Sequence, residues 1–140
     1  MAALKVGFGR RDITPPTGIH MQGYFEKRLS TGIRDRLMGS CLAFSDGEKT
    51  AVVFTLDLIG INQTEGDILR KTVAEKTGLP YEAVYYACTH THTGPGIGSH
   101  SVYGNCPEYN SVMYRSLADA ASEAIADLSE AEVLDRKSVV

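Results

Sequence analysis

The sequence predicts an α/β fold in which a mixed β-sheet is flanked by helices and contains a β-α-β crossover. Three observations support this prediction. Apolar runs of strand length at residues 37–44 and 50–59 flank a short turn, a helical pattern follows, and residues 83–88 form another apolar run. Because a strand, a helix and a strand in this order usually build a parallel crossover, residues 50–88 are expected to form one such unit.

The composition is that of one ordinary globular domain. The chain has 140 residues, of which 43% are hydrophobic and 22% are charged, so it is long enough to bury its own core. A formal net charge of -3 leaves no basic field, which argues against a nucleic-acid partner. No apolar stretch reaches the roughly 18 residues that a membrane span needs.

The N-terminus and the cysteines favour a cytoplasmic protein. The first residues lack the basic and apolar regions of a secretory signal peptide. Cys41, Cys88 and Cys106 are odd in number and follow no pattern, so they are expected to be reduced thiols. Cys106 is a weak candidate for a metal ligand, because it has no partner in a Cys-x-x-Cys motif.

The N-terminal part predicts a short strand and then a long loop. Residues 5–9 are rich in apolar side chains, and two prolines at residues 15–16 predict that residues 10–18 form a rigid extended or turn segment rather than a helix. Residues 19–36 have no clear period and are interpreted as a long loop, a kind of segment that is often functional in a compact domain. This loop contributes three candidate pocket residues, His20, Tyr24 and Arg34.

The central strand and the first helix have clear local signals. An Asp-Gly pair at residues 46–47 predicts a hairpin. The second strand of that hairpin is nearly continuous in apolar residues, so it is expected to be buried on both faces, with helices on each side. Asn62 followed by Glu65 predicts an N-cap with a reciprocal carboxylate, and Gly78 with Pro80 ends the helix.

A second helix is expected to begin at Pro107. Its apolar residues recur at helical spacing and therefore form one stripe that faces the core. The members of this stripe are Met113, Leu117, Ala120, Ala124 and Leu128.

The most informative functional feature is the sequence Thr-His-Thr-His-Thr-Gly-Pro at residues 89–95. It places His90 and His92 between an apolar strand and a glycine-rich turn, and imidazole is a common ligand of Zn²⁺. On a regular strand, residues i and i+2 share a face, so both rings could approach one ion. Alternatively, the first histidine binds the metal and the second forms a hydrogen bond with the substrate.

Asp57 is a further candidate, because it interrupts the apolar run near the carboxyl end of the central strand, where open α/β sheets bind ligands. A carboxylate there needs a partner. That partner is either the ring of a ligand histidine, whose tautomer it would fix, or a neighbouring backbone N–H. His20 and His100 are weaker candidates, since each lies in a loop that contains glycine.

The glycines after the histidines do not indicate a nucleotide site, because no Gly-Lys pair follows them. A zinc hydrolase needs about three protein ligands and an open position for water. Two histidines and one carboxylate lie in the right region, so the site is expected to be incomplete.

Five motifs occur here in the same order as in the neutral/alkaline ceramidase family, which the chain resembles up to Ala124. They are VGFGRRDITPPTG at residues 6–18, MQGY at 21–24, TGI at 31–33, LDL at 56–58 and ACTHTHTGP at 87–95. The resemblance implies a zinc-dependent amidase that cleaves an N-acyl bond, as in ceramide, to give a sphingoid base and a fatty acid. It implies a lipid or small-molecule amide as the substrate.

The resemblance also implies different roles for the two histidines. His90 would be a zinc ligand, and His92 would contact the scissile carbonyl or the product carboxylate. The other family ligands, a histidine, a glutamate and a tyrosine, lie downstream of the segment that this chain resembles. Thr93 stands where the family has a serine.

Residues 1–134 are therefore expected to be the N-terminal portion of a ceramidase-like catalytic domain that lacks activity alone. Residues 135–140 are expected to be a non-native tail, because a common sequencing adaptor encodes this hexapeptide. Two alternatives stay open: a non-catalytic metal-binding or interaction module, and an inactive truncation.

Overall fold

A computed structural model describes residues 3–98 and 104–135, which form seven strands and two α-helices. The strands are β1 (Lys5–Asp12), β2 (His20–Met21), β3 (Arg28–Leu29), β4 (Met38–Ser45), β5 (Thr50–Leu56), β6 (Val84–Cys88) and β7 (Ser129–Glu130). The helices are α1 (Gln63–Thr77) and α2 (Pro107–Ala126), and a single 3₁₀ turn, Tyr81–Ala83, precedes β6.

Five of the strands form one mixed sheet in the order β6-β5-β4-β1-β7. Neighbouring strands are antiparallel except for β5 and β6, which are parallel and are joined through α1. The predicted α/β class, the mixed sheet and the β-α-β crossover are therefore confirmed. The segment predicted as one long loop contains a further small pairing, because β2 and β3 form a two-stranded sheet.

The β4–β5 hairpin follows from the chemistry of its turn. The Asp46 carboxylate accepts hydrogen bonds from the backbone N–H groups of Glu48 and Lys49, at 3.0 and 2.7 Å. Gly47 has a φ of 90°, a left-handed conformation that glycine adopts without strain. The predicted hairpin turn at Asp46-Gly47 is thus confirmed.

Helix α1 begins and ends where its caps were predicted. The Asn62 side chain accepts a hydrogen bond from the Glu65 N–H at 2.9 Å, and Gly78 is left-handed at the C-terminus. The Glu65 carboxylate has a different partner from the predicted reciprocal one. It accepts a hydrogen bond from the Tyr114 hydroxyl at 2.6 Å, so it links α1 to α2.

Both helices lie on the same face of the sheet, which corrects the prediction of helices on each side. In β5 the side chains of Val52 and Phe54 are fully buried, whereas Val53 and Thr55 are exposed. The run is apolar on both faces, but the described residues cover only one of them. The apolar pattern of β5 could not show which face is covered, because Val53 is apolar and yet exposed.

Helix α2 packs very closely on β1, because two glycines leave space for it. A Cβ atom on Gly7 would collide with the carbonyl oxygen of Ala124, and one on Gly9 would collide with that of Ala120. The two alanines belong to the predicted apolar stripe, and both are fully buried. Small residues on each side therefore bring the helix backbone onto the strand.

Polar contacts fix the same helix along β1. The Arg11 guanidinium forms a two-pronged ion pair with the Glu123 carboxylate, and this hydrogen bonding lowers the pKa of Glu123. The Phe8 backbone N–H donates to the Asp127 carboxylate at 2.9 Å. These contacts align the last two turns of α2 with the strand.

The three cysteines are free thiols. Burial raises the pKa of Cys41 to about 12, and burial also raises the pKa of Cys88. Cys106 lies at the start of α2, where its Sγ is 3.8 Å from the Glu108 carboxylate. No helix of the described segments is long and apolar enough to cross a membrane.

We expect Gly9→Ala to lower the free energy of unfolding by about 2–3 kcal/mol, because the added methyl group forces α2 away from β1. Gly32→Ala is the matched control, since a Cβ at that position meets nothing within 4 Å. Its effect should stay within about 0.5 kcal/mol. Urea unfolding of both variants measures the difference, and equal stability of the two would contradict the close packing.

Candidate functional site

The two histidines of the THTHTGP motif lie just beyond the parallel strands, at their carboxyl ends. Strand β6 ends at Cys88, and the backbone N–H groups of Thr89 and His90 donate to the carbonyl oxygens of Leu56 and Leu58, at 2.9 and 3.0 Å. The chain after β6 therefore continues beside the chain after β5. This is the edge at which open α/β sheets bind ligands.

His90 leaves the strand conformation that would place both histidines on one face. Its φ is 63°, and within the described residues it is the one non-glycine residue with a positive φ. Such a conformation costs about 1–2 kcal/mol and is concentrated at functional sites. The proximity of the two rings therefore comes from a loop rather than from the alternation of a strand.

A hydrogen bond fixes the orientation of the His90 ring. Its Nδ1 lies 2.8 Å from the carbonyl oxygen of Ile59. Because a carbonyl oxygen only accepts, Nδ1 is the donor in this contact, and in the neutral ring the lone pair is then on Nε2. A histidine whose Nδ1–H is bound to a backbone carbonyl has the arrangement typical of a metal ligand.

His92 lies beside His90, with the two ring centroids 5.1 Å apart and the ring planes at 67°. Both residues are exposed. Thr91 lies between the two histidines and Thr93 follows them. The Thr91 hydroxyl accepts a hydrogen bond from the Thr93 N–H at 3.3 Å, which forms a local turn. The motif thus presents two adjacent imidazoles to solvent.

The segment after the histidines is buried and is tied to the N-terminal loop. Residues 94–98 are buried, and the Gln22 N–H donates to the Gly94 carbonyl oxygen at 3.1 Å. Met21 also forms a β-bridge with Pro95. The predicted functional loop therefore reaches the histidine motif through its backbone.

Three residues of this loop form the wall behind His92. Gly23 has a φ of 97°, and a Cβ on it would lie 2.5 Å from His92 Nδ1. The Tyr24 ring meets His92 edge-on, with centroids 6.4 Å apart, and the Arg28 guanidinium lies 4.3 Å from the Tyr24 centroid. Sequence reasoning gave Tyr24 as a pocket candidate but missed Gly23 and Arg28. Gly23 lies in the MQGY motif, and this motif could have indicated that Gly23 belongs to the site.

The Asp57 carboxylate binds a backbone N–H group, which is one of the two kinds of partner predicted for it. Its Oδ2 accepts a hydrogen bond from the Met38 N–H at 2.9 Å, and its Oδ1 lies 3.3 Å from the Thr89 hydroxyl. The role of fixing a histidine tautomer belongs instead to the Ile59 carbonyl. Asp57 holds the start of β4 against the base of the histidine motif.

His20 belongs to β2 of the N-terminal loop, and its ring is not among the ring contacts of the histidine pair in the described residues. It lines a small cavity of about 210 Å³ with Pro95, Gly96 and Cys106, among other residues. Its Nδ1 is buried and has no hydrogen-bond partner among residues 3–98 and 104–135. The ring contacts of His92 in these segments are with His90 and Tyr24. The remaining candidate, His100, lies outside the described residues.

The chemistry of the pair fits a metal, but the number of ligands does not complete a site. An anchored imidazole with a free Nε2 is a suitable zinc donor. In the part of the chain that the structure describes, however, no group of three or more His, Cys, Asp or Glu side chains could hold an ion. The described residues therefore offer a partial donor set.

A cavity of about 430 Å³ lies next to the histidine motif. Its walls come from the N-terminal loop and from the segment that contains Thr93. The apolar residues of the lining include Ile19, Met21, Ile33, Leu37 and Pro95, and Thr93 and Arg34 also line it. The lining is mostly apolar, as is typical of pockets for small organic ligands.

Two solved structures are similar to this chain. One is described as a ceramidase complexed with C2, with a TM-score of 0.81 and 26% sequence identity. The other is a neutral ceramidase from Pseudomonas aeruginosa, with a TM-score of 0.77 and 26% identity. In each case the match covers 93% of this chain. No protein-family model matches the chain, and no curated protein matches it.

The resemblance to neutral ceramidases that the five motifs predicted is thus confirmed by the fold over nearly the whole chain. The chain spans only 22% of the length of each of these two structures. It is similar to one part of a much larger fold.

We expect Gly23→Ala to displace the His92 ring, and Gly18→Ala is its matched control. Both glycines have a positive φ, so both substitutions share a cost of about 1 kcal/mol. A Cβ on Gly18 meets nothing within 4 Å, whereas one on Gly23 meets the imidazole. Gly23→Ala should therefore cost about 1–2 kcal/mol more in unfolding free energy.

Histidine side-chain NMR resonances provide the second measurement for this pair of variants. The His92 resonances should shift in Gly23→Ala and stay in place in Gly18→Ala. Unshifted His92 resonances in both variants would show that Gly23 does not position the ring.

Proposed function

We propose that this chain supplies part of the active site of a zinc-dependent hydrolase that cleaves N-acyl amide bonds of the ceramide type. The observation that most supports this is the His90 ring, whose Nδ1–H is held by the Ile59 carbonyl, so that Nε2 is the donor nitrogen of the neutral ring. The similarity to two ceramidase structures supports this reaction class.

His90 is the proposed metal ligand. Its backbone N–H and its ring Nδ1 are both bound to the loop that follows β5, so the free nitrogen has a fixed direction. Zinc bound at this position would supply a Lewis acid that polarises the amide carbonyl and makes water a stronger acid. The two hydrogen bonds also offset the cost of the left-handed backbone.

His92 is the proposed hydrogen-bond donor to the carbonyl oxygen of the substrate. Its ring is exposed, it lies beside His90, and the Gly23 backbone and the Tyr24 edge support it from behind. A donor that is held in place before the reaction stabilises the negative charge that develops on the oxygen. The two histidines thus have different supports and different proposed roles.

The apolar cavity beside Thr93 is suited to a hydrocarbon part of the substrate. Apolar side chains make up most of its surface, the charged Arg34 and Asp35 also line it, and it opens next to the motif that carries the histidines. A lipid amide has such an apolar chain adjacent to its polar amide group. The cavity therefore supports a lipid amide as the substrate class.

We propose that residues 1–134 form the N-terminal portion of a ceramidase-like catalytic domain. The described residues lack a third ligand, and the chain covers 22% of the ceramidase structures, so the missing ligands would come from outside this portion. The 140-residue chain alone should then bind zinc weakly and should not turn over substrate.

Zinc titration by calorimetry tests the metal role. We expect His90→Ala to weaken Zn²⁺ binding by about tenfold or more, because the one anchored imidazole donor is lost. His20→Ala, which removes a histidine away from the pair, is the control and should leave the affinity unchanged. Unchanged affinity in His90→Ala would remove the metal assignment.

Hydrolysis of an N-acyl sphingosine tests the catalytic role in two proteins: the 140-residue chain, and a longer protein that contains these residues. The longer protein should be active and the chain alone should be at background. In the longer protein, His92→Ala should lower kcat by roughly 10²–10³-fold, as for the loss of an oxyanion donor. Equal activity of the two lengths would contradict the incomplete site, and a full-rate His92→Ala would contradict the donor role.

A further inference from the structure

The turn that joins β2 to β3 carries the most exposed aromatic side chain of the described residues. Strand β2 ends at Met21 and β3 begins at Arg28, so residues 22–27 form the tip of a small hairpin. Phe25 lies in this hairpin tip and is fully exposed, at 107%, whereas Phe8 on the sheet is 50% exposed. A whole aromatic side chain is therefore presented to solvent at the tip.

The neighbours of Phe25 hold the hairpin tip at the edge of the candidate site. The Tyr24 ring meets His92 edge-on, with centroids 6.4 Å apart. The Arg28 guanidinium lies 4.3 Å from the Tyr24 centroid and forms an ion pair with Glu26 at 2.7 Å. The base of the tip thus contacts the histidine pair, while the side chain after Tyr24 is directed outward.

The segment that includes Phe25 is both apolar and basic at its surface. Leu29 and Ile33 are 51% and 47% exposed. Residues 24–36 contain four basic and two acidic side chains, although the whole chain has a formal net charge of -3. Lys27 is exposed, and the Arg34 side chain is 98% exposed. Exposed Phe and Leu beside Lys and Arg are typical of segments that lie in the interface of an anionic membrane.

We propose that residues 24–36 dock this protein on the surface of an anionic lipid bilayer. Phe25 and Leu29 enter the boundary between headgroups and acyl chains, where their apolar surface is removed from water. Lys27 and Arg34 lie at the level of the anionic headgroups. A bilayer suits a protruding tip better than a protein partner does, because a fluid bilayer accommodates a side chain without a matching pocket.

This docking places the mouth of the apolar cavity at the bilayer. Ser30, Gly32 and Ile33 of the docking segment line the cavity of about 430 Å³ beside Thr93. A lipid amide in the bilayer then reaches the cavity without transfer of its hydrocarbon chain through water. This consequence rests on the proposed function, whereas the association with a membrane does not.

Co-sedimentation with lipid vesicles tests the docking. The 140-residue chain is mixed with vesicles of phosphatidylcholine alone or with about one third phosphatidylglycerol, in the presence of a metal chelator. We expect weak binding to the anionic vesicles and binding at least about fivefold weaker to the neutral ones, because the exposed cations lose their attraction. Phe25→Ser should weaken binding to the anionic vesicles about tenfold, because the apolar anchor is lost.

Lys27→Gln should weaken the same binding by about threefold to fivefold, since one attracted charge is removed. Phe8→Ser is the matched control for the aromatic change, because Phe8 lies with Val53 on the uncovered face of the sheet. Lys49→Gln is the control for the charge change, because Lys49 lies in the β4–β5 turn at the other end of the sheet. Both controls should leave binding unchanged, and circular dichroism confirms that each variant is folded.

Three results would overturn the proposal. They are absent binding of the wild-type chain to anionic vesicles, wild-type binding that Phe25→Ser does not weaken, and equal weakening by Phe8→Ser, which would assign the contact to the sheet face. The vesicles contain no amide lipid and the chelator removes zinc. Failure of the docking is therefore distinct from failure of the proposed metal site or of the proposed hydrolysis.

Discussion

The close approach of α2 to β1 is the contact on which the rest of the described structure depends. Gly7 and Gly9 leave room for the backbone at Ala120 and Ala124, so helix and strand meet without side chains between them. Helix α2 also contacts β4 and α1, and this one contact therefore sets the depth of the whole helix layer. The layer positions α1 within the crossover, and the two strands that α1 joins lead to the histidine motif.

The candidate site is supported from two sides, and each side supports a different histidine. The loop after β5 binds His90 through the carbonyl oxygens of Leu58 and Ile59. The N-terminal loop supports His92 through Gly23 and Tyr24. This division fixes the orientation of one ring and places the other beside it, which is a physical basis for the two different roles proposed for them.

The described residues leave one face of the sheet uncovered and the set of metal donors partial. The sheet is apolar on a face that nothing in residues 3–98 and 104–135 covers, and these residues contain fewer than three clustered metal ligands. Both properties are expected of one part of a larger fold, since packing and ligand sets are completed by elements distant in sequence. The 22% coverage of the similar structures is consistent with this interpretation.

The sequence by itself determined the hairpin turn, the caps of α1 and the histidine motif, because each depends on spacing within a few residues. It also determined the crossover, because the order strand, helix, strand predicts it. Only the tertiary structure decided which face of β5 is covered, that Ile59 orients His90, and that Gly23 supports His92. The physical reason is distance along the chain. Ile59 and His90 are 31 residues apart, and periodicity contains no information on which distant backbone atoms meet.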